Sequence, residues 1–174
     1  ETAAQGGVGN GVTVAVLDTG VDYARSAFGS CAAPGGSCKV AFAQDFAPND
    51  GALDDNGHGT NVAGIVLGVA PGARIAALDV FENDLASSTD IIAAINWAIA
   101  NQATYNIVAM NLSLGGSRAA SPCASDVFAT PLANAKAAGI LAAVAAGNEA
   151  YKNALSSPGC APAAVSVGAV YDSA

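Results

Sequence analysis

The sequence predicts an α/β fold: a doubly wound, mostly parallel sheet flanked by helices. Three observations predict it. Val12 to Leu17, Arg74 to Phe81, Ile107 to Leu112 and Ile140 to Ala146 are short, nearly continuous apolar runs, as strands buried on both faces require. Helical patterns fall between them, and strand alternating with helix implies parallel pairing and right-handed crossovers. Finally, Asp18, Ser113 and Gly147-Asn148 all follow directly on such runs. In open parallel sheets that rim, at the carboxyl ends of the strands, is where ligands bind.

Each element follows from its residues. Glu1 to Gly11 is a polar, glycine-rich lead-in, and Val12 to Leu17 is the first strand. Val21 to Asp55 is irregular, broken by Pro34, Gly35, Gly36, Pro48 and Gly51, with one short strand near Lys39 to Phe46. A helix starts near His58 and ends by Gly68, and Pro71-Gly72 turns the chain into the strand at Arg74. Ser88-Thr89-Asp90 supplies capping residues for a helix whose Ile91, Ile95, Ala98 and Ile99 share one face. Phe128, Leu132 and Ala135 mark the next helix, with Gly139 at its C-terminal cap. Ser156-Ser157 before Pro158 reads as a loop, and Ala164 to Val170 is the last strand.

Composition bounds the function. The chain has 174 residues, 52% apolar and 11% charged, as a globular domain has. A net charge of -8 argues against nucleic acid or an anionic membrane as a partner, because both select clustered Lys and Arg. The longest apolar stretch, Ile140 to Ala146, is too short to cross a bilayer. Glu1-Thr2-Ala3-Ala4 has neither the basic start nor the apolar segment of a signal peptide, so any such segment is expected to be already removed. Cys31, Cys38, Cys123 and Cys160 lack the C-x-x-C spacing of zinc and redox motifs. Pro34-Gly35-Gly36 can turn Cys31 back onto Cys38. The expectation is two disulfides, Cys31 with Cys38 and Cys123 with Cys160, in a secreted or periplasmic protein, with buried free thiols as the alternative.

The chemistry centres on His58, the single histidine, between Gly57 and Gly59. Glycine on both sides lets another group approach the imidazole closely. Asp18 ends a buried strand, where a carboxylate is costly unless a cation or donor meets it. An Asp bonded to Nδ1–H of a His fixes the tautomer and leaves the other nitrogen as a general base. Asn148 offers a side-chain amide suited to a developing oxyanion, and Ser113-Leu114-Gly115-Gly116 offers an edge for an extended peptide. Each has a plain structural reading too: Asp18 as a turn residue, Asn148 as a left-handed turn asparagine, the glycines as a strand end. Asp45, Asn49, Asp50, Asp54, Asp55 and Asn56 form an acidic run. Its oxygens suit calcium, but its spacing is not that of an EF-hand, so it reads as a solvated loop and no metal is assigned. Asp18-Thr19-Gly20 has no second copy, as an aspartic protease needs, and Gly6 to Gly11 precede a strand, unlike a dinucleotide fingerprint.

The combination resembles the subtilisin-like serine proteases, or subtilases. Val14-Ala15-Val16-Leu17-Asp18-Thr19-Gly20-Val21-Asp22 is similar to the family's segment around the catalytic Asp. Asn56-Gly57-His58-Gly59-Thr60-Asn61-Val62-Ala63-Gly64 is similar to its catalytic His segment. Gly68-Val69-Ala70-Pro71, Ala94-Ile95-Asn96-Trp97-Ala98, Asn111-Leu112-Ser113-Leu114-Gly115-Gly116 and Ala145-Ala146-Gly147-Asn148-Glu149 follow in the family's order. The resemblance implies that Asp18 orients His58, that His58 is general base and then acid, and that Asn148 serves the oxyanion hole. It also implies that Ser113, Leu114 and Gly115 bind substrate backbone. Ala145 to Gly147 would line the pocket for the residue before the scissile bond, with an apolar preference.

The family's nucleophile lies in a Gly-Thr-Ser-Met-Ala segment beyond the block that Ala169-Val170 resembles, and no such segment occurs in this sequence. The expectation is therefore that residues 1–174 form the N-terminal part of a peptidase domain, with a C-terminal fragment carrying the catalytic Ser as partner. The alternative is a non-catalytic, peptide-binding module. Three further departures stand out. Asn61 takes the place of a second His. The span from Val66 to Pro71 is too short for the calcium loop many subtilases insert. Leu85-Ala86 replaces glycines on the other cleft wall.

Overall fold

The computed structural model describes residues 7–170. The expectation for Glu1-Thr2-Ala3-Ala4 lies outside them, as does part of the lead-in. The central element is β1 (Thr13–Asp18), followed by β2 (Val40–Asp45), α1 (His58–Val69) and β3 (Arg74–Asp79). A two-stranded hairpin, β4 (Phe81–Glu82) and β5 (Leu85–Ala86), leads into α2 (Ser88–Ala100), the single turn α3 (Gln102–Tyr105) and β6 (Ile107–Leu112). Then come β7 (Arg118–Ala119), α4 (Ala129–Ala137), β8 (Leu141–Ala145), β9 (Leu155–Ser156) and β10 (Val165–Val167).

Six strands form one sheet in the order β10-β8-β6-β1-β3-β2, and each pairing in it is parallel. The chain lays β2 and β3 on one side of β1, then crosses to β6 on the other. β1 therefore sits where the winding reverses, the position at which such sheets open a crevice.

Alternation along β1 divides the core. Ala15 and Leu17 face α2 and α4, packing with Ile91, Ile95, Met110, Leu132 and Val144. Val16 faces the opposite layer, with Ile75, Ala77, Ala63, Leu67 and Phe28. Both faces are covered, which is why the strand runs read as continuously apolar. Each fully buried Leu or Ile contributes roughly 1.5–3 kcal/mol relative to exposure.

The helix caps refine the sequence reading. The N-cap of α2 is Ser87, not Ser88: its Oγ accepts from the Asp90 amide and donates to the Asp90 carboxylate. Ser88 and Thr89 are already helical, because Ser87 and Asp90 have the spacing at which cap and third helical residue satisfy each other. Phe128 precedes α4 as its N-cap, and Gly139, at φ 82°, takes the left-handed conformation just beyond it.

Strand ends also shift. The strand expected to run to Phe81 stops at Asp79, and Phe81 instead starts the β4–β5 hairpin. Ser156 is not in a loop: β9 pairs antiparallel with β7, and Ser156 is fully buried. The last strand is shorter than Ala164 to Val170, and Val165 and Val167 on it are exposed. Pairs this short carry too little periodicity to be read from sequence.

Both expected disulfides are present, Cys31–Cys38 and Cys123–Cys160. They span 7 and 37 residues. A cross-link restricts the unfolded chain more as its loop lengthens, about 2.5 kcal/mol for the shorter and about 4 kcal/mol for the longer. Replacing Cys123 and Cys160 by Ser is thus expected to lower denaturant stability by roughly 1–2 kcal/mol more than replacing Cys31 and Cys38. Chevron or equilibrium urea curves check this; equal losses would contradict it.

Candidate active site

β1 delivers Asp18 to the rim, and the first turn of α1 delivers His58. His58 Nδ1 lies 2.7 Å from Asp18 Oδ1. The Asp18 side chain is 1% exposed and that of His58 54%, so the pair runs from the core to solvent. Asp18 Oδ1 also accepts the Thr19 amide at 2.9 Å. Burial raises the Asp18 pKa, and its bonds to His58 and Thr19 only partly offset that. An ionised carboxylate only accepts hydrogen bonds. With Asp18 ionised, Nδ1 carries the proton and Nε2 is the basic nitrogen.

The two glycines beside His58 do different work. A Cβ on Gly59 would lie 2.0 Å from the Gly20 carbonyl oxygen and 3.2 Å from Asp18 Oδ1, so this glycine lets α1 seat on β1. Gly57 has open space around it but φ 87°, so it is needed for the turn into the helix. Clearance around the imidazole explains neither: Gly59 makes room for β1, and Gly57 serves the turn.

The N-terminus of α1 leaves no amide unsatisfied. Gly57 N–H donates to Asp54 Oδ1 at 2.9 Å, His58 N–H to Asn56 Oδ1 at 3.0 Å, Gly59 N–H to Thr19 Oγ1 at 3.0 Å and Thr60 N–H to Asp54 Oδ2 at 2.8 Å. Asp54 also accepts from the hydroxyls of Thr19, at 2.8 Å, and Thr60. Burial opposes its ionisation, but the Thr60 and Thr19 hydroxyls and the Thr60 and Gly57 amides outweigh it and hold the carboxyl below the ordinary range. Asp54 is thus not part of a solvated loop. The acidic run hid it, since one of several neighbouring carboxylates carries no pattern that marks it as the acceptor.

The other rim residues sit at the ends of β6 and β8. Ser113 Oγ accepts from Asn111 Nδ2 at 2.8 Å. Ala145 ends β8, and Gly147, at φ 115°, turns the chain against Ser156. Glu149 Oε2 accepts from Ser156 Oγ at 2.9 Å and from the Asn148 amide at 3.0 Å, clasping the turn that presents Asn148. Leu114, Gly115 and Asn148 line a cleft of about 510 Å³ together with Leu85 and Ala86 of the β4–β5 hairpin. Glu149 and Ser156 were not singled out from the sequence, although Glu149 belongs to the block that carries Asn148.

Among the described residues, the one set of three close metal-binding side chains is Cys123, Asp126 and Cys160, whose sulfurs are bonded to each other. Asp45 and Asp79 stand side by side at the ends of β2 and β3. Asp79 is buried, and burial, reinforced by the charges of Asp55, Asp45 and Asp54, pushes its pKa up to about 7.

The buried Asp18 bonded to the exposed His58 thus stands at the carboxyl end of the central strand of a doubly wound parallel sheet. The subtilase family model matches residues 9–174, and the chain belongs to that family. It is 35% identical to subtilisin E of Bacillus subtilis (strain 168) over 184 aligned positions, covering 97% of this chain and 43% of that protein. It is 37% identical to a cuticle-degrading serine protease of Arthrobotrys oligospora, covering 98% of this chain and 39% of that one. Among solved structures, a protease of Pseudoalteromonas arctica superposes with a TM-score of 0.79 at 25% identity, covering 97% of this chain and 59% of that one. A psychrophilic protease, S41, gives 0.74 at 30% identity, covering 96% and 56%. The chain spans about 40% of the length of the curated relatives it matches.

Two predictions follow from the packing and the charges. Gly59→Ala is expected to push α1 off β1 and break the Asp18–His58 bond, read as loss of the downfield Nδ1 proton in NMR spectra; its survival would contradict the packing. Asp79 holds its proton in the folded state up to about pH 7 but loses it near 3.8 when unfolded. Its contribution to stability is therefore present at low pH and lost as pH rises to about 7. Asp79→Asn, which cannot ionise, is expected to gain on the order of 1–2 kcal/mol over the natural protein near pH 8, measured in EDTA, with the gain shrinking as pH falls and little left below about pH 4. A pH-independent difference would refute it.

Proposed function

We propose that this chain supplies the orienting carboxylate, the general base and the oxyanion donor of a serine endopeptidase. The observation that carries the reading is the 2.7 Å bond between a buried carboxylate and Nδ1 of an exposed imidazole. His58 Nε2 takes the proton of an attacking serine hydroxyl and returns it to the leaving amine. Asp18 stabilises the imidazolium formed between those steps. The side-chain amide of Asn148 donates to the oxyanion of the tetrahedral intermediate, and removing one such donor from a subtilisin costs about 10²–10³-fold in kcat.

Leu114, Gly115 and Ser113 hold the peptide backbone at the end of β6, and Ala145 to Gly147 face an apolar side chain before the scissile bond. The substrate is a polypeptide. The nucleophile comes from a C-terminal segment outside this sequence, because no serine in it has the Gly-Thr-Ser-Met-Ala context. The two disulfides support an extracytoplasmic location. Among the described residues no helix is long and apolar enough to cross a membrane.

The test is labelling of the natural protein with a fluorophosphonate probe, followed by mass mapping, alongside peptide hydrolysis. The label is expected on a serine outside residues 1–174, and His58→Ala is expected to lower kcat by at least about 10³-fold. A label on a serine within this chain, or a His58→Ala variant of undiminished activity, overturns the assignment. A natural protein that neither labels nor cleaves favours a peptide-binding module on the same fold.

A further inference from the structure

We propose that Asp54 is the positioning residue of this site, the group that fixes where the base-bearing turn stands relative to Asp18; this rests on the reading of His58 as base. Hydrogen bonds close a ring around the pair. Asp18 Oδ1 accepts the Thr19 amide, Thr19 Oγ1 donates to Asp54, and Asp54 accepts from Gly57 and Thr60 on either side of His58. His58 Nδ1 then returns to Asp18. Every link in the ring is a direct bond or one turn of backbone. The carboxylate and the imidazole are therefore held twice: once by their own bond and once through Asp54.

Three further bonds brace the same ring. Thr60 Oγ1 accepts the Asp22 amide at 2.8 Å, so the segment beyond β1 is tied to α1 as well. Asp55 N–H donates to the Thr19 carbonyl at 2.9 Å, beside the bridge between Gly20 and Asp54. Gly59 N–H reaches Thr19 Oγ1, the same oxygen that donates to Asp54.

α1 has no side-chain cap on its N-cap Gly57 and no acidic residue in its first turn. Asp54 supplies both from outside the helix: an acceptor for orphan amides and a negative charge at the positive end of the dipole. Asp54 contacts neither a reacting atom nor the imidazole. It acts through Thr19, Gly57 and Thr60. A displacement of the base by about 1 Å is enough to cost on the order of 10²-fold in rate.

His58 is the only histidine in residues 1–174, and comparison of the natural protein with His58→Ala assigns its imidazole signals in ¹H–¹⁵N spectra. The proton held between Nδ1 and Asp18 gives a far-downfield resonance, which Asp18→Asn is expected to abolish. Asp54→Asn is expected to abolish it too, while both disulfides and the amide signals of β6 and β8 stay in place. Thr60→Val removes one donor and leaves both carboxylates, and is expected to broaden the resonance; Thr60→Ser is expected to restore it. In the enzyme that carries the serine, Asp54→Asn is expected to lower kcat on the order of 10²-fold with KM within about twofold. If Asp54→Asn does not fold, Thr19→Val and Thr60→Val decide.

A resonance unchanged in Asp54→Asn, or in both threonine variants, overturns the positioning role alone. A resonance indifferent to Asp18→Asn overturns the base assignment and the positioning role together. The two failures are thus distinguishable.

Discussion

Everything at the rim depends on keeping a carboxylate ionised where almost no water reaches it. Asp18 is 1% exposed, at the end of a strand whose other residues are core. Such a charge is costly unless donors meet it. One donor is fixed by the backbone, the Thr19 amide. The other is an imidazole brought from a helix that begins forty residues later. The fold solves this by seating that helix directly on the strand end, with Gly59 against Gly20 and Asp18. Close packing and charge compensation are the same contact.

The parallel sheet supplies the second condition. With β3 and β6 on either side of β1, the strand cannot shift without breaking two ladders. The same register carries the end of β6 beside the end of β1, and β8 follows next to β6. Residues far apart in sequence therefore share one rim, and the cleft lined by Leu114 to Gly116 and the β4–β5 hairpin opens along it.

Much of this was legible in the sequence. The buried strands, their alternation with helices, the Cys31–Cys38 turn and the placement of Asp18 and His58 at element ends all leave strong local patterns, whereas Cys123–Cys160 was expected only as the remaining pair. What stayed hidden was of two kinds. Strand pairs of two residues, such as β7 with β9, have no period to detect, so Ser156 read as a loop residue although the fold buries it completely. Hydrogen-bond hubs are hidden for a different reason. Asp54 among its acidic neighbours, and Glu149 beside Asn148, differ from solvated carboxylates only in which donors converge on them. Those donors come from Thr19 and Ser156, distant in sequence and brought close by the fold.

Residues 48–53 leave the end of β2 and run exposed until Asp54, where the chain is gripped from both sides. That grip insulates the helix from whatever precedes it. Lengthening a surface loop costs little entropy, about 0.6 kcal/mol for each doubling, and here a change of length is absorbed before the chain reaches His58. The loop can thus change in length while Asp54 keeps the turn that carries His58 anchored.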